Sequence, residues 1–334
     1  MNACRPDTAK AAAAGDPLHP RPTADGSLTL WSERFGECFH SGSGAQAETM
    51  AKFIAPAQLE RVPAGSRLRV LDVCVGLGYN TAALLEAAEQ RHLQLEWIGL
   101  ELDPRPLAMA LADTAFRRLW QAGTVRALEQ LQAEGSWRHG ASGGAWLLGD
   151  AREHLPAVLK QWPGRCDLVL HDAFSPGHCP ELWSAEFLNG LGRLLQPSGR
   201  LLTYCAAAAV RRALQEAGLE LASIASPEPP EPASAQRPSS QWCLGTAASP
   251  TTLVGQGSSN AVLRPLNAME REHLHTRAAE PYRDPSGRAS AATIQAERAA
   301  RQRLHSGDST SAWRRRWGLD RGRVERRGEP GGSA

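Results

Sequence analysis

The stretch LDVCVGLGYN, residues 71–80, places an acid, Asp72, ahead of a Gly-x-Gly turn formed by Gly76 and Gly78, with Asn80 close behind. Glycines at such a turn let a ligand approach backbone that no side chain shields, and a helix opening there offers unpaired N–H groups. A dinucleotide turn asks for a third glycine at 81, where the chain has Thr81. A carboxylate at Asp72 would also repel a pyrophosphate, whereas a donor carrying sulfonium and ammonium charges would meet no such penalty. Two further acids recur at the ends of later apolar runs. Glu101, in GLELD, suits the two hydroxyls of a ribose. Asp150, in LLGDAREHL, suits an adenine amino group, although both it and Asp103, which precedes Pro104, equally suit helix caps. Three acids at successive strand ends point to S-adenosylmethionine (SAM) as the cofactor. A fourth, Asp172 in CDLVLHDAFSPGHC, is the candidate catalytic group. Phe174, Trp183 and Tyr204 are candidates to line a substrate pocket, with core packing favoured for Trp183.

The elements that must position these groups alternate regularly. Strand signals at 67–75, 95–103, 145–150, 166–172 and 200–205 are separated by helical patterns, of which 79–92, 105–121, 182–195 and 207–218 are the clearest. Parallel neighbours need a crossover that a helix supplies, so the expected fold is a doubly wound α/β sheet, Rossmann-like, with an Arg-rich helical tail. The segment from Gly135 to Gly144 reads as irregular, and WCLGTAAS as one last strand. The expected organisation is a mobile leader over 1–26, a SAM-dependent methyltransferase domain over 27–250 with a proline-serine linker at 226–241, and a basic extension over 251–334.

Composition narrows the class. The chain has 334 residues, 42% of them apolar, which excludes wholesale disorder. No run approaches the roughly 18 apolar residues of a membrane span, and the N-terminus lacks the pattern of a secretory signal, so a cytoplasmic location is expected. Seven widely spaced cysteines without a CxxC pair suit reduced thiols. His171, Asp172, His178 and Cys179 match no zinc-ligand spacing, and no metal is expected. His273 and His275 read as solvated. Residues 271–334 hold 14 basic against 8 acidic side chains, and a basic tail attracts polyanions. Trp313 and Trp317, four apart in AWRRRW, share a helix face that either grips an RNA stem or docks the tail.

The run HDAFSPGHCPELWSAEFLNGLGRLLQPSGRLLTYCAAAAVRRALQEAG resembles the MnmC-like group, the tRNA 5-methylaminomethyl-2-thiouridine methyltransferases, called MnmD when free-standing. The resemblance extends back through LDVCVGLGYN to FGECFHSGSGAQAET, where Glu48 matches a family glutamate expected to contact the cofactor. It covers roughly residues 26–225. PYRDP and AWRRRW also resemble tails of free-standing relatives. Departures are Cys179 in place of the family's usual Asn, Cys205 in place of Thr, and the proline-serine stretch in place of a tight final hairpin. The resemblance implies methyl transfer from SAM to the primary amine of 5-aminomethyl-uridine at a tRNA wobble position, without the flavin-dependent oxidase fused in bifunctional relatives. Asp172 would orient that amine, Phe174 and Trp183 would stack on the extruded base, and the tail would meet the anticodon arm. Two alternatives remain at this level, a SAM-type transferase acting on a small amine and a non-catalytic SAM- or RNA-binding module.

Overall fold

The computed structural model describes residues 16–225, 243–254 and 262–319. Residues 1–15 of the expected leader and the whole expected linker at 226–241 lie outside the described residues.

A nine-stranded sheet forms the centre, in the order β12-β10-β11-β9-β8-β4-β5-β7-β6. Its parallel middle comprises β4 (Arg67–Val73), β5 (Gln94–Glu101), β7 (Ser142–Leu148), β8 (Cys166–His171) and β9 (Leu195–Thr203). The chain winds outward from β4 to β5 and β7 on one side and through β8 to β9 on the other. The order therefore reverses between β4 and β8, and in such sheets the crevice beyond the carboxyl ends at that point takes the ligand. β4 and β8 are Val/Leu-rich and buried on both faces, as strands covered by helices on two sides must be. One layer of core holds Leu84, Leu107 and Leu128; the other holds Leu71, Val169, Leu188 and Leu191. This is a doubly wound, mostly parallel α/β sheet of the Rossmann-like kind, as the sequence leads one to expect.

The helices are α1 (Ala45–Thr49), which continues as a π turn over Met50–Ile54, α2 (Ala55–Ala57), α3 (Tyr79–Gln90), α4 (Arg105–Ala112), α5 (Thr114–Arg118), α6 (Ala122–Glu134), α7 (Ala151–Gln161), α8 (Ala185–Leu194), α9 (Ala208–Glu216), α10 (Ala268–His273), α11 (Ala291–Leu304) and α12 (Thr310–Arg316). The single helix expected over 105–121 is broken, because the Asp113 side chain accepts from Phe116 N at 2.8 Å and starts α5 afresh. The stretch read as irregular contains β6 (Ser136–His139), which turns back onto β7 through Gly140 at φ +58°.

Both expected domain edges move outward. β1 (Leu18–Pro22) pairs antiparallel with β2 (Leu28–Ser32), and β2 with β3 (Glu37–Cys38), so a small sheet begins inside the stretch read as leader. At the other end, β10 (Glu220–Ile224) and β11 (Gly245–Ser249) form an antiparallel pair, and β12 (Leu263–Pro265) adds to β10. WCLGTAAS is thus not the last strand. Residues 263–319 pack on the domain: Trp313 is 2% exposed, donates from Nε1 to Met269 O at 3.1 Å, and stacks on His273 at 3.9 Å. His273 is consequently not the solvated side chain expected, and burial lowers its pKa to about 4.

Candidate functional site

A cavity of about 340 Å³ lies over the carboxyl edge of the sheet. Glu101, Leu102 and Asp103 from the end of β5, Cys74 and Gly76 from the loop after β4, and Asp172, Ala173 and Phe174 from the loop after β8 form its floor. Glu48, Thr49 and Lys52 close it from α1 and the π turn, with Phe35 and Phe39 from the small N-terminal sheet.

The loop after β4 is tightly bent. Gly76 (φ +56°) donates its N–H to Glu101 Oε2 at 2.8 Å, and a Cβ there would meet the Phe39 ring at 3.3 Å. Cys74 holds φ +68°, a region that side chains rarely adopt, and burial drives its thiol pKa well up. Glu101 accepts on both oxygens, from Gly76 N and from Asp103 N, each at 2.8 Å. Burial pushes its pKa to about 7 despite those bonds. Asp103 also lines the cavity, where it holds Arg105 at 2.6 Å and accepts from Arg105 N at 2.9 Å.

Asp172 is half-buried, and burial raises its pKa to about 7 against the bond from Asn80 and the charge of Lys52. Asn80 Nδ2 donates to Asp172 Oδ2 at 2.8 Å, and Thr49 Oγ1 donates to Asn80 Oδ1 at 3.0 Å. Asn80 thus reaches the site through Asp172 and does not itself line the cavity. Glu48 takes bonds from Ser41 and a salt bridge from Lys52 at 3.1 Å; burial opposes its charge, but these partners hold its pKa below the usual range. Phe174 stacks on Phe35 at 4.4 Å and meets Phe39 edge-on at 4.8 Å, which makes an aromatic wall. Tyr204 lines the cavity, donates to Ala173 O at 2.8 Å, and lies beneath Lys52.

Four candidates from the sequence sit elsewhere. Asp72 is fully buried below the loop, where its Oδ2 accepts from Thr81 Oγ1 at 2.7 Å; burial raises its pKa to about 6. Gly78 is the left-handed N-cap of α3, and a Cβ there would strike Leu107 at 2.8 Å, so packing demands the glycine. Asp150 caps α7 and is paired with Arg152 at 2.7 Å. Trp183 is buried against His171 and donates to Phe174 O at 2.7 Å, so it supports the aromatic wall from behind. The four residues considered as metal ligands also diverge: His171 is buried with its Nε2 3.0 Å from Leu182 O, His178 is exposed, and Asp172 and Cys179 line the cavity. Lys52, Thr49, Phe35 and Phe39 were not singled out from the sequence. Phe35, Phe39 and Thr49 fall within the resembling stretch FGECFHSGSGAQAET, whereas no motif marks Lys52; the folding of the N-terminal sheet and π turn over the crevice brings all four in.

Residues 144–226 match the model of an S-adenosyl-L-methionine-dependent methyltransferase family. The bifunctional protein MnmC for tRNA 5-methylaminomethyl-2-thiouridine biosynthesis from Cupriavidus necator is 31% identical over 214 residues, 62% of this chain and 32% of that protein. Its namesake from Azoarcus is 32% identical over 203 residues, 58% of this chain and 31% of that one. The crystal structure of MnmC2 from Aquifex aeolicus superimposes with a TM-score of 0.70 at 25% identity, covering 87% of each chain. This chain is similar to the MnmC-like methyltransferases. It spans about a third of the length of those curated bifunctional relatives. The agreement over 87% of the Aquifex chain means that the MnmC-like fold takes in more than the 83-residue stretch that the family model matches. No described helix is long and apolar enough to cross a membrane.

Proposed function

We propose that this chain transfers a methyl group from SAM to the primary amine of 5-aminomethyl-(2-thio)uridine at the wobble position of tRNA. The observation that carries the reading is Asp172, fixed by Asn80 and Thr49 in a cavity that also holds Glu101 and an aromatic wall. Glu101 and Gly76 fit the ribose side of SAM, because the loop leaves no side chain between its backbone and the cavity. Glu48 is an anion placed for the ammonium of the amino-acid part. Bound there, SAM supplies an electrophilic methyl group.

The chain's own residues do the rest. Phe174, Phe35 and Phe39 offer a flat surface for the extruded uracil ring. Holding the amine in line with the methyl carbon can lower the barrier by roughly 7–11 kcal/mol. An amine with a Lys-like pKa near 10.4 costs about 4–5 kcal/mol to deprotonate at pH 7. A carboxyl poised near 7 suits the receipt of that proton, and since Asp172 Oδ2 is engaged by Asn80, Oδ1 is the acceptor. Nitrogen forms the new bond to the methyl carbon, sulfur keeps the bonding pair, and the proton passes to Asp172. A carboxylate also stabilises the ammonium form, which Lys52 beside Glu48 offsets.

The test is methyl transfer from labelled SAM into undermodified tRNA, followed by nucleoside analysis. Asp172→Ala is expected to lower turnover by about 100-fold or more while SAM affinity by calorimetry is retained. Unimpaired turnover in that variant would remove Asp172 from the mechanism. Transfer to small amines but not to tRNA would replace the reading altogether.

A further inference from the structure

We propose that a groove beside the catalytic cavity is the track for the single-stranded RNA flanking the target base, and that the C-terminal extension builds its outer wall. The inference rests on the methyl-transfer reading above. The cavity opens onto a groove of about 850 Å³, and the two share Ser41, Glu48, Lys52 and Tyr204 at their junction. A base delivered to Asp172 stays tied to phosphodiesters on both sides, so its strand needs an opening continuous with the cavity, and this groove is one.

One wall is made of small residues, with Ala47 and Ala51 on the α1 side and Ala206 and Ala207 ahead of α9. The opposite wall comes from residues 270–314, outside the stretch that matches the family model: His273, Thr310, Trp313 and Arg314. Docking of Trp313 under His273 is what carries Arg314 to the rim. The groove's acids are already paired, Glu48 with Lys52 at 3.1 Å and Glu270 with Arg211 at 3.2 Å and Arg264 at 2.5 Å. An incoming phosphate therefore meets no uncompensated carboxylate along these acids, and Arg314 stands at the rim. An arginine at the rim of such a groove suits a phosphodiester, with binding that weakens as salt rises. The two sequence-level roles for AWRRRW thus merge: Trp313 docks so that Arg314 can bind.

Steady-state kinetics on undermodified tRNA, with anisotropy on an anticodon stem-loop RNA at several salt concentrations, tests this. Arg314→Glu is expected to raise KM for tRNA about tenfold, leave kcat at saturating tRNA near the wild-type value, and reduce the salt slope by about one. Arg314→Lys should restore most of the affinity. Ala47→Trp, which fills the groove without changing charge, should raise KM as well. SAM affinity should be unaltered in all three. Unchanged KM and salt slope in both Arg314→Glu and Ala47→Trp, in a protein that methylates tRNA, would overturn the groove and spare the reaction. Wild-type protein that binds SAM but methylates no RNA would overturn both.

Discussion

Asp72 and Glu101 are buried carboxyls near the ends of adjacent strands and share one face of the sheet, Asp72 lying opposite Gly99 and Glu101 two residues further toward the carboxyl edge. Glu101 faces the cavity with two backbone donors; Asp72 points beneath the loop to Thr81, and its Oδ1 has no hydrogen-bond partner among the described residues. The Asp72 pKa in the folded chain, about 6, exceeds its ordinary 3.8, so the folded state holds that proton more tightly. Stability from this group is therefore greatest below about pH 4 and falls as pH rises toward 6, a loss on the order of 3 kcal/mol by pH 8. Asp72→Asn is expected to stabilise the ligand-free protein at pH 8 by on the order of 1–3 kcal/mol and to lose that advantage near pH 4, as read by urea unfolding at both values. Equal effects at the two pH values would refute the burial argument. SAM affinity should be unchanged in Asp72→Asn but weakened about tenfold or more in Glu101→Gln, which removes the charged acceptor proposed for the ribose hydroxyls. An acid is legible at both positions, but how far each lies along the shared face decides which reaches the cavity, and only strand register fixes that. Lys52 was illegible for a different reason, since a lone lysine in a helical pattern carries no sign that its helix will lie across a crevice.

At the scale of elements, the parallel strands and their helices were legible because each is a compact apolar run followed by a turn. The elements that were missed depend on long-range pairing. β12 joins β10 across about forty residues, and nothing local to Leu263–Pro265 announces it. What secures that edge is a buried polar cluster. Arg211 on α9 donates to Thr246, Ser223 and Gly245 O and pairs with Glu270, the N3 residue of the α10 capping box. Burial opposes the charge on Glu270, yet the bonds from Arg264 and the charge of Arg211 hold its pKa at about 2. Removing Arg211 leaves Glu270 to Arg264, a less buried partner, and takes a donor from Thr246, Ser223 and Gly245 O inside the cluster. Arg211→Met is expected to cost about 3–5 kcal/mol in denaturant unfolding, and the double variant Arg211→Met with Glu270→Leu much less. A double variant no more stable than the single one would show that the cluster holds the edge by its other hydrogen bonds.

For the whole molecule, these contacts pack the extension against the nine-stranded sheet and its helices, across the boundary that a proline-serine stretch suggests. Arg152, held by Asp150 at 2.7 Å, reaches Asp284 at 2.8 Å and Ala289 O at 2.9 Å, so the cap of α7 is tied to the PYRDP segment. Tyr282 O accepts from Ala185 N at 2.9 Å at the start of α8, and Arg298 lies over the Tyr282 ring at 4.3 Å. Trp313 then seals α12 onto α10. With buried anchors at three separate points, the extension cannot leave without exposing Asp284, Trp313 and Glu270, each at most 4% exposed. Calorimetry should therefore show one unfolding transition for the described chain, and Trp313→Ala, costing about 3–5 kcal/mol, should lower that single midpoint by several degrees. A tail folded on its own would instead give a second, separate transition and leave the main midpoint where it was. The two outcomes differ in function as well as stability, because a groove wall made by an independently melting tail would be lost before the cavity over the sheet edge, whereas a wall made by the domain fails only when the cavity does.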